Sequence, residues 1–311
     1  MEKGVGFMTK LSVIIPYCNE YPQVNFTVQN ILNELEDIDA EVITIANKST
    51  DKGYESLNGP GDRPAPYVRT GKLKNLVYDD KLGHWCAKNK GLEIAKGKRI
   101  LFIDSHCIVK KNAIKDMMDT PCPGSLHMQI HYMLDTKPLI YRARPETMHY
   151  TFAGCPQGYT KPFDVPVMST CGMMIEKKNL DHIGHWNPEL GIYGGGENYM
   201  MYKIGTCGLP IQIHNTAALY HYADKRGYSW NYDDYVRNQF IAAYCVGDEE
   251  WLDIKVKERK DKKNSNKERI DEIANDVRFK CKDDRNYIRE RQKCSLTEYF
   301  NSWGDDFVRQ N

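Results

Sequence analysis

Asp104-Ser105-His106 closes a short apolar run, residues 99–103 (RILFI). In extended backbone alternate side chains point the same way, so this carboxylate and imidazole can share one ligand. The pair suits manganese or a similar borderline divalent ion. The plainer alternative is a helix-capping Asp beside a surface His; the position at the carboxyl end of a strand favours the ion. A second carboxylate, Glu197, opens a helical stretch with Asn198, directly after Gly194, Gly195 and Gly196. Glycines there let a substrate approach the backbone closely, while a carboxylate at a helix N-terminus is also favoured by the helix dipole alone. Further on lie two more imidazoles, His214 and His221, and the cations Lys225 and Arg226 beside Gly227.

The elements that must position these residues read as alternating strands and helices. Residues 11–16 (LSVIIP) and 41–46 (EVITIA) are continuous β-branched runs, as buried parallel strands are. Residues 76–78 and 99–103 supply two more strands. Helix-like apolar spacing covers 25–35 and 85–95, the latter ending towards Gly97 as a C′ residue. Such alternation predicts an α/β fold with a parallel sheet and helices on both faces. In these sheets ligands bind outside the carboxyl ends of the strands, where both Asn47 and Asp104 fall. Residues 121–166, rich in Pro, Tyr, His and Met, read as irregular strands and loops that build an acceptor surface. A strand pair or strand-turn is expected over 167–176, a helix over 197–204, short strands over 207–222 and a helix over 233–244. Residues 253–293 carry dense mixed charge and read as a solvated helical extension or a partly disordered segment. The expected division is a catalytic domain over 1–230 and a charge-rich helical extension over 231–311.

The chain of 311 residues has 43 Lys and Arg against 42 Asp and Glu, so its overall charge implies no polyanionic partner. No apolar run is long enough to span a bilayer, and residues 11–16 are too short for a signal h-region. The expectation is a cytoplasmic protein, or one whose anchor has been removed. Ten cysteines are scattered without a Cys-x-x-Cys pair, which argues against a zinc site on that spacing and for reduced thiols.

Three segments in order, SVIIPYCNE, LGHWCAKNKGLEIAKGKRILFIDSHC and IYGGGENYMMYKIGTCG, resemble the motifs of GT-A glycosyltransferases of the family 2 type. The resemblance covers residues 11–230 and is most specific to the polypeptide N-acetylgalactosaminyltransferases. Those enzymes use Asp-X-His, a Gly-Gly-Glu-Asn segment and a later histidine. The resemblance implies a GT-A fold, a Rossmann-like, mostly parallel sheet flanked by helices. It also implies Mn2+ or another divalent metal held by Asp104, His106 and His221, with a UDP-sugar as donor. The donor would meet Pro16, Asn19, Glu20, Asn47, Lys88, Asn89 and Asp104. Cys171 and Gly172 in Met168-Ser169-Thr170-Cys171-Gly172, with Gly195 and Gly196, would line the sugar pocket. Lys225, Arg226 and Tyr228 would lie over the diphosphate, in a closing loop over 222–230 hinged at Gly227. Glu197 and Asn198 take the catalytic positions. Inverting relatives carry an Asp where Asn198 stands; retaining relatives carry Asn, so retention of anomeric configuration is expected.

Two departures qualify these implications. The uracil-reading Asp that follows the second strand in relatives is replaced here, the stretch reading Ala46-Asn47. Neither the lectin-like domain nor the membrane anchor of the Golgi enzymes lies within these residues, so a secreted-protein acceptor is not implied. The acceptor stays open among protein, glycan, small molecule and nucleic acid. An excess of Lys and Arg over 255–293 keeps a modified DNA base among the alternatives, although solvated charge explains such runs more often. A catalytically silent binding protein of the same fold is the rival from another class. A nucleotidyltransferase would need a Gly-rich basic loop after the first strand, and residues 16–23 (PYCNEYPQ) are not that.

Overall fold

The computed structural model describes residues 10–59, 65–132, 137–222, 228–263 and 265–310. Only a strand covered on both faces can bury a continuous β-branched run. Strand β1 (Leu11–Tyr17) is buried along its whole length, and β2 (Ala40–Asn47) everywhere but Ala40. Helix α1 (Gln23–Glu34) joins them, and α2 (Gly53–Asn58) and α3 (Pro66–Arg69) lead to β3 (Leu73–Tyr78). Helix α4 (His84–Ile94) leads to β4 (Arg99–Phe102). β1 pairs in parallel with β2 and β4, and β2 with β3. The carboxyl ends at Tyr17, Asn47, Tyr78 and Phe102 therefore share one edge.

The chain then crosses to the other half of the sheet through β5 (Cys107–Val109), α5 (Ala113–Asp119) and β6 (Ser125–His131). A hairpin of β7 (Leu139–Arg144) and β8 (His149–Gly154) stands off β6. After β9 (Phe163–Asp164), β10 (Met173–Glu176) inserts antiparallel between β4 and β6. Helices α6 (Lys177–Ile183) and α7 (Gly196–Thr206) precede β11 (Ile211–His221), which runs parallel to β6 and antiparallel to β5 and β9. Helices α8 (Tyr232–Ala242), α9 (Glu249–Lys260), α10 (Lys267–Lys280), α11 (Lys282–Arg289) and α12 (Leu296–Trp303) follow, with a π turn over Ala243–Gly247. A last strand, β12 (Arg309–Gln310), pairs with β9, so the C-terminal segment closes the edge of the same sheet.

Several elements differ from expectation for identifiable reasons. Gly97 is no helix cap: α4 ends at Ile94 with Ala95 extended. A Cβ on Gly97 would lie 2.3 Å from Ser12 N, so the residue is small to let β1 pass. Residues 207–222 hold one long strand, not several. Its pairing with β6 shifts between Ile213 and Ala218, and His214 Nδ1 accepts from Ala217 N at 2.9 Å and Thr216 N at 3.2 Å to hold that bulge. In 167–176 only β10 is regular. The charged stretch after residue 253 is folded and packed: Ile270, Ile273, Ala274, Val277 and Cys281 form a buried stripe at helical spacing. Much of its charge is paired, as in Arg278 with Glu249 and Asp253, Lys260 with Asp271, and Arg269 with Asp233 and Glu272. None of the ten cysteines is bonded to another. Among the described residues no helix is long and apolar enough to cross a membrane.

Candidate active site

The shared edge opens on a cleft of about 590 Å³, a size that suits a cofactor or nucleotide. Asp104 and His106 stand there, though not on an extended strand: residues 104–106 form the turn between β4 and β5. Thr27 on α1 pins this turn, donating to Ser105 O at 2.9 Å and accepting from Cys107 N at 3.0 Å. His221 arrives from the facing strand, in register with Cys107. Three ligand atoms thereby converge. His106 Nε2 and His221 Nε2 are 3.2 Å apart, and His221 Nε2 is 3.5 Å from Asp104 Oδ2.

The surroundings prepare this cluster for a cation. Glu20 Oε2 accepts from His106 Nδ1 at 2.6 Å and from Ser105 Oγ at 2.6 Å. A proton fixed on Nδ1 leaves the Nε2 lone pair directed at the cluster. Burial by itself raises the Asp104 carboxyl, but the His221 contact and the positive charge of Lys88 hold it well below the usual carboxylate range. Asp104 Oδ1 and His221 Nδ1 are buried with no hydrogen-bond partner among the described residues. Cis ligands around a small divalent ion sit roughly 3 Å apart, close to the spacings seen. The donor set, one carboxylate and two imidazoles, fits a borderline ion.

Lys88 is fully buried on α4, with Nζ 4.0 Å from Asp104 Oδ1, donating to Thr170 Oγ1 at 2.9 Å, and about equally near the rings of Trp85 and Trp186. Burial pushes its pKa down, against the pull of Asp104. Asn89, the next residue, does not reach the cleft: its amide clamps the backbone of Trp186, donating to O at 2.8 Å and accepting from N at 3.2 Å. The first cofactor motif is likewise partly structural. Glu20 orients His106, and Asn19 Oδ1 accepts from Thr50 N at 2.7 Å, tying the loop after β1 to the loop after β2. Pro16, Asn19, Glu20 and Asn47 all line the cleft. Asn47 Oδ1 already accepts from Leu82 N at 2.8 Å, which turns its amide nitrogen outward.

Cys171 and Gly172 lie beneath the site, not in its wall. Cys171 Sγ accepts from Asp104 N at 3.4 Å and touches Cys107 Sγ at 3.5 Å. Gly172 N donates to Phe102 O at 2.8 Å. The three glycines before Glu197 make room for protein, not for substrate alone. Cβ atoms on Gly194 and Gly195 would meet the Tyr235 ring and the Asn238 backbone of α8 at 2.5 Å, and one on Gly196 would meet Trp85 at 2.2 Å. Glu197 lines the cleft and accepts from Tyr150 OH at 2.5 Å and Ser169 Oγ at 3.0 Å. Burial, then the Glu197 charge, pushes the Tyr150 phenol up. Asn198 donates from Nδ2 to Met148 O. Tyr228 lines the cleft, with Lys81 Nζ 5.6 Å from its ring centre. Lys225 and Arg226 lie outside the described residues.

Sequence reasoning missed His84, whose Nε2 is 3.7 Å from Asp104 Oδ1. It also missed the aromatic wall of Tyr132, Tyr141, Tyr150 and Phe152 from β6 to β8, in which Tyr141 and Tyr150 stack at 4.1 Å. The Tyr-rich composition of 121–166 was the available signal, but without strand register it could not say which rings face inward.

A parallel sheet whose carboxyl edge carries Asp-X-His, extended by a mixed second half, is the architecture of a GT-A glycosyltransferase. The chain belongs to glycosyl transferase family 2, whose model matches residues 12–183. Polypeptide N-acetylgalactosaminyltransferase 16 of Mus musculus is 23% identical over 266 residues, covering 78% of this chain and 45% of its own length. Polypeptide N-acetylgalactosaminyltransferase 10 of Homo sapiens is 27% identical over 221 residues, covering 63% of this chain and 35% of its own length. The chain thus spans less than half the length of these relatives. The crystal structure of GalNAc-T7 with UDP, GalNAc and Mn2+ superposes with a TM-score of 0.67 over 90% of this chain and 57% of that one, at 18% identity. At that identity the likeness is one of fold.

Proposed function

We propose that this protein transfers a sugar from a UDP-sugar to an acceptor, with Mn2+ or a similar divalent ion held by Asp104, His106 and His221. The observation that carries this reading is the convergence of those three side chains, with the two Nε2 atoms 3.2 Å apart and His106 oriented by Glu20. The ion's contribution is to neutralise the leaving diphosphate. The protein's own groups do the rest. Asn47 offers an amide nitrogen to a carbonyl of the base, in place of the carboxylate that relatives use. Lys88 holds Asp104 ionised. Tyr228 covers the diphosphate side, to which the family resemblance also assigns Lys225 and Arg226. Glu197, kept in place by Tyr150 and Ser169, contacts hydroxyls of the sugar or the acceptor. Asn198 has no basic site for a proton, which supports transfer with retention. Residues 1–230 carry the metal and donor motifs in this reading, and α8 beyond them adds Tyr235 and Gln239 to the wall of the cleft.

The test is nucleotide release across a panel of UDP-sugars, with and without Mn2+ and chelator. Release that needs Mn2+ and is lost in His106→Ala is expected. Full release by His106→Ala in chelator sinks the metal assignment.

A further inference from the structure

Tyr235 and Gln239 are one helical turn apart on α8, and both line the cleft. Gln239 is 6% exposed, and behind it lies Arg259 of α9 at 1%. Arg259 donates from a terminal guanidinium nitrogen to Gln239 Oε1. A guanidinium has donors only, so this bond fixes the amide: oxygen towards Arg259, nitrogen towards the cleft. Nε2 makes no hydrogen bond among the described residues.

Arg259 is itself held on several sides. Its guanidinium lies 5.3 Å from the Tyr235 ring centre and 3.8 Å from Glu258 Oε1. Glu258 accepts from Lys255 Nζ at 2.8 Å, and Lys255 also donates to Thr147 O at 2.8 Å and contacts His149 Nε2 at 3.0 Å. This partly buried network links α9 to β8, and His149 lines the cleft as well. The preceding residue on α8, Asn238, fixes the wall to the rest of the site. It accepts from Gly191 N at 2.7 Å and donates to Tyr193 O at 2.9 Å, and its backbone packs against Gly195 at the start of α7. Gln239 therefore shares a wall with Glu197 and Asn198. That wall offers an oriented amide donor, an acceptor carboxylate and a further amide. Such a mixture matches a neutral polyhydroxyl group, because each hydroxyl both donates and accepts.

We propose that Gln239 is a specificity-determining residue that donates from Nε2 to an oxygen of the transferred sugar, and that Arg259 is its positioning residue. This rests on the reading of the cleft as a nucleotide-sugar site. A substrate contact made by α8 gives the C-terminal segment a share in donor selection.

The experiment compares binding of UDP with binding of UDP-GlcNAc, UDP-GalNAc, UDP-glucose and UDP-galactose by calorimetry in the presence of Mn2+. Gln239→Glu keeps the partner of Arg259 and removes the donor. UDP affinity is expected to stay within about twofold, while affinity for the preferred UDP-sugar falls about tenfold, the loss for one hydrogen bond near a desolvated site. Arg259→Met, which frees the amide to turn, is expected to reproduce the selective loss. Arg259→Lys, another donor-only side chain, is expected to restore most of it. Gln239→Met, neutral and of similar size, serves if the Glu variant is destabilised. Equal effects on UDP and UDP-sugar, or none on either, overturn the role of Gln239 while leaving the donor class intact. A wild-type protein that binds no nucleotide or nucleotide sugar overturns both proposals.

Discussion

Glu20→Ala tests whether the carboxylate behind His106 prepares the metal cluster. In the native protein Glu20 Oε2 receives two short hydrogen bonds, from His106 Nδ1 and Ser105 Oγ, both at 2.6 Å. Removing the carboxylate frees the imidazole to rotate or to place its proton on Nε2, which then cannot ligate. Loss of such a supporting partner typically lowers metal affinity about 10–100-fold, or about 1.4–2.8 kcal/mol. Glu20→Gln keeps one oxygen that can accept from Nδ1, so it should fall between wild type and Glu20→Ala. His106→Ala, which deletes the ligand, should be the weakest of the series. Free Mn2+ is measured by electron paramagnetic resonance during titration, with UDP held saturating, so that turnover plays no part in the readout. Melting temperatures of the variants control for misfolding. If Glu20→Ala binds Mn2+ as tightly as wild type while remaining folded, His106 is either not a ligand or not oriented by Glu20.

Gly195→Ala should cost roughly 2 kcal/mol or more in urea denaturation, since φ is 69° and the new Cβ would fall 2.5 Å from the Asn238 backbone; an unchanged midpoint would show that α8 is not seated there. Stability should also fall as pH rises above 9. Burial raises the thiols of Cys107, Cys122, Cys155, Cys207 and Cys245 above their ordinary 9.0, so the unfolded chain loses those protons first and gains on the folded one. Burial lowers Lys88, Lys203 and Lys255 from 10.5, the last two to about 8, which acts in the opposite sense up to 10.5. Cys18, Cys86 and Cys294 are raised as well, so the thiols outnumber the lysines and the net is a loss of stability as pH rises from 9 to 10.5; a flat melting temperature there contradicts it. Product stereochemistry, read by NMR with a donor of known configuration, should show retention; inversion redirects the search for a base to Glu197. Mn2+ with UDP should protect the amides of residues 222–230 from hydrogen exchange, and equal exchange in both states would make that stretch a fixed wall.

The parallel half of the sheet was legible because burial on both faces writes itself as unbroken β-branched runs. Residues 11–16 and 41–46 each sit inside an observed strand, and the ligand edge follows from topology alone. Asp104 and His106 were found by a partly wrong argument. They converge because a turn pinned by Thr27 brings them round, not because an extended strand alternates. His221 could not be reached from spacing at all. Its place is set by antiparallel pairing of β11 with β5 across 114 residues of chain (221 − 107), and only the family resemblance pointed to it.

The same physics explains what misled in the cofactor motifs. A motif next to a site does two jobs, contacting ligand and holding the contact residues still, and residue type does not separate them. Asn89 and Lys88 are neighbours on one helix, yet α4 turns Lys88 to Asp104 and Asn89 to Trp186. Gly194 and Gly195 line the cleft, and a Cβ on either would also meet α8. The charged C-terminal run hid its stripe of Ile270, Ile273 and Val277 because a solvated face dominates any average over the helix. That stripe matters to function: it seats α9 and α10 against α8, and α8 carries Tyr235 and Gln239 into the cleft. A segment that reads from composition as an appendage is, in the folded chain, one wall of the candidate active site.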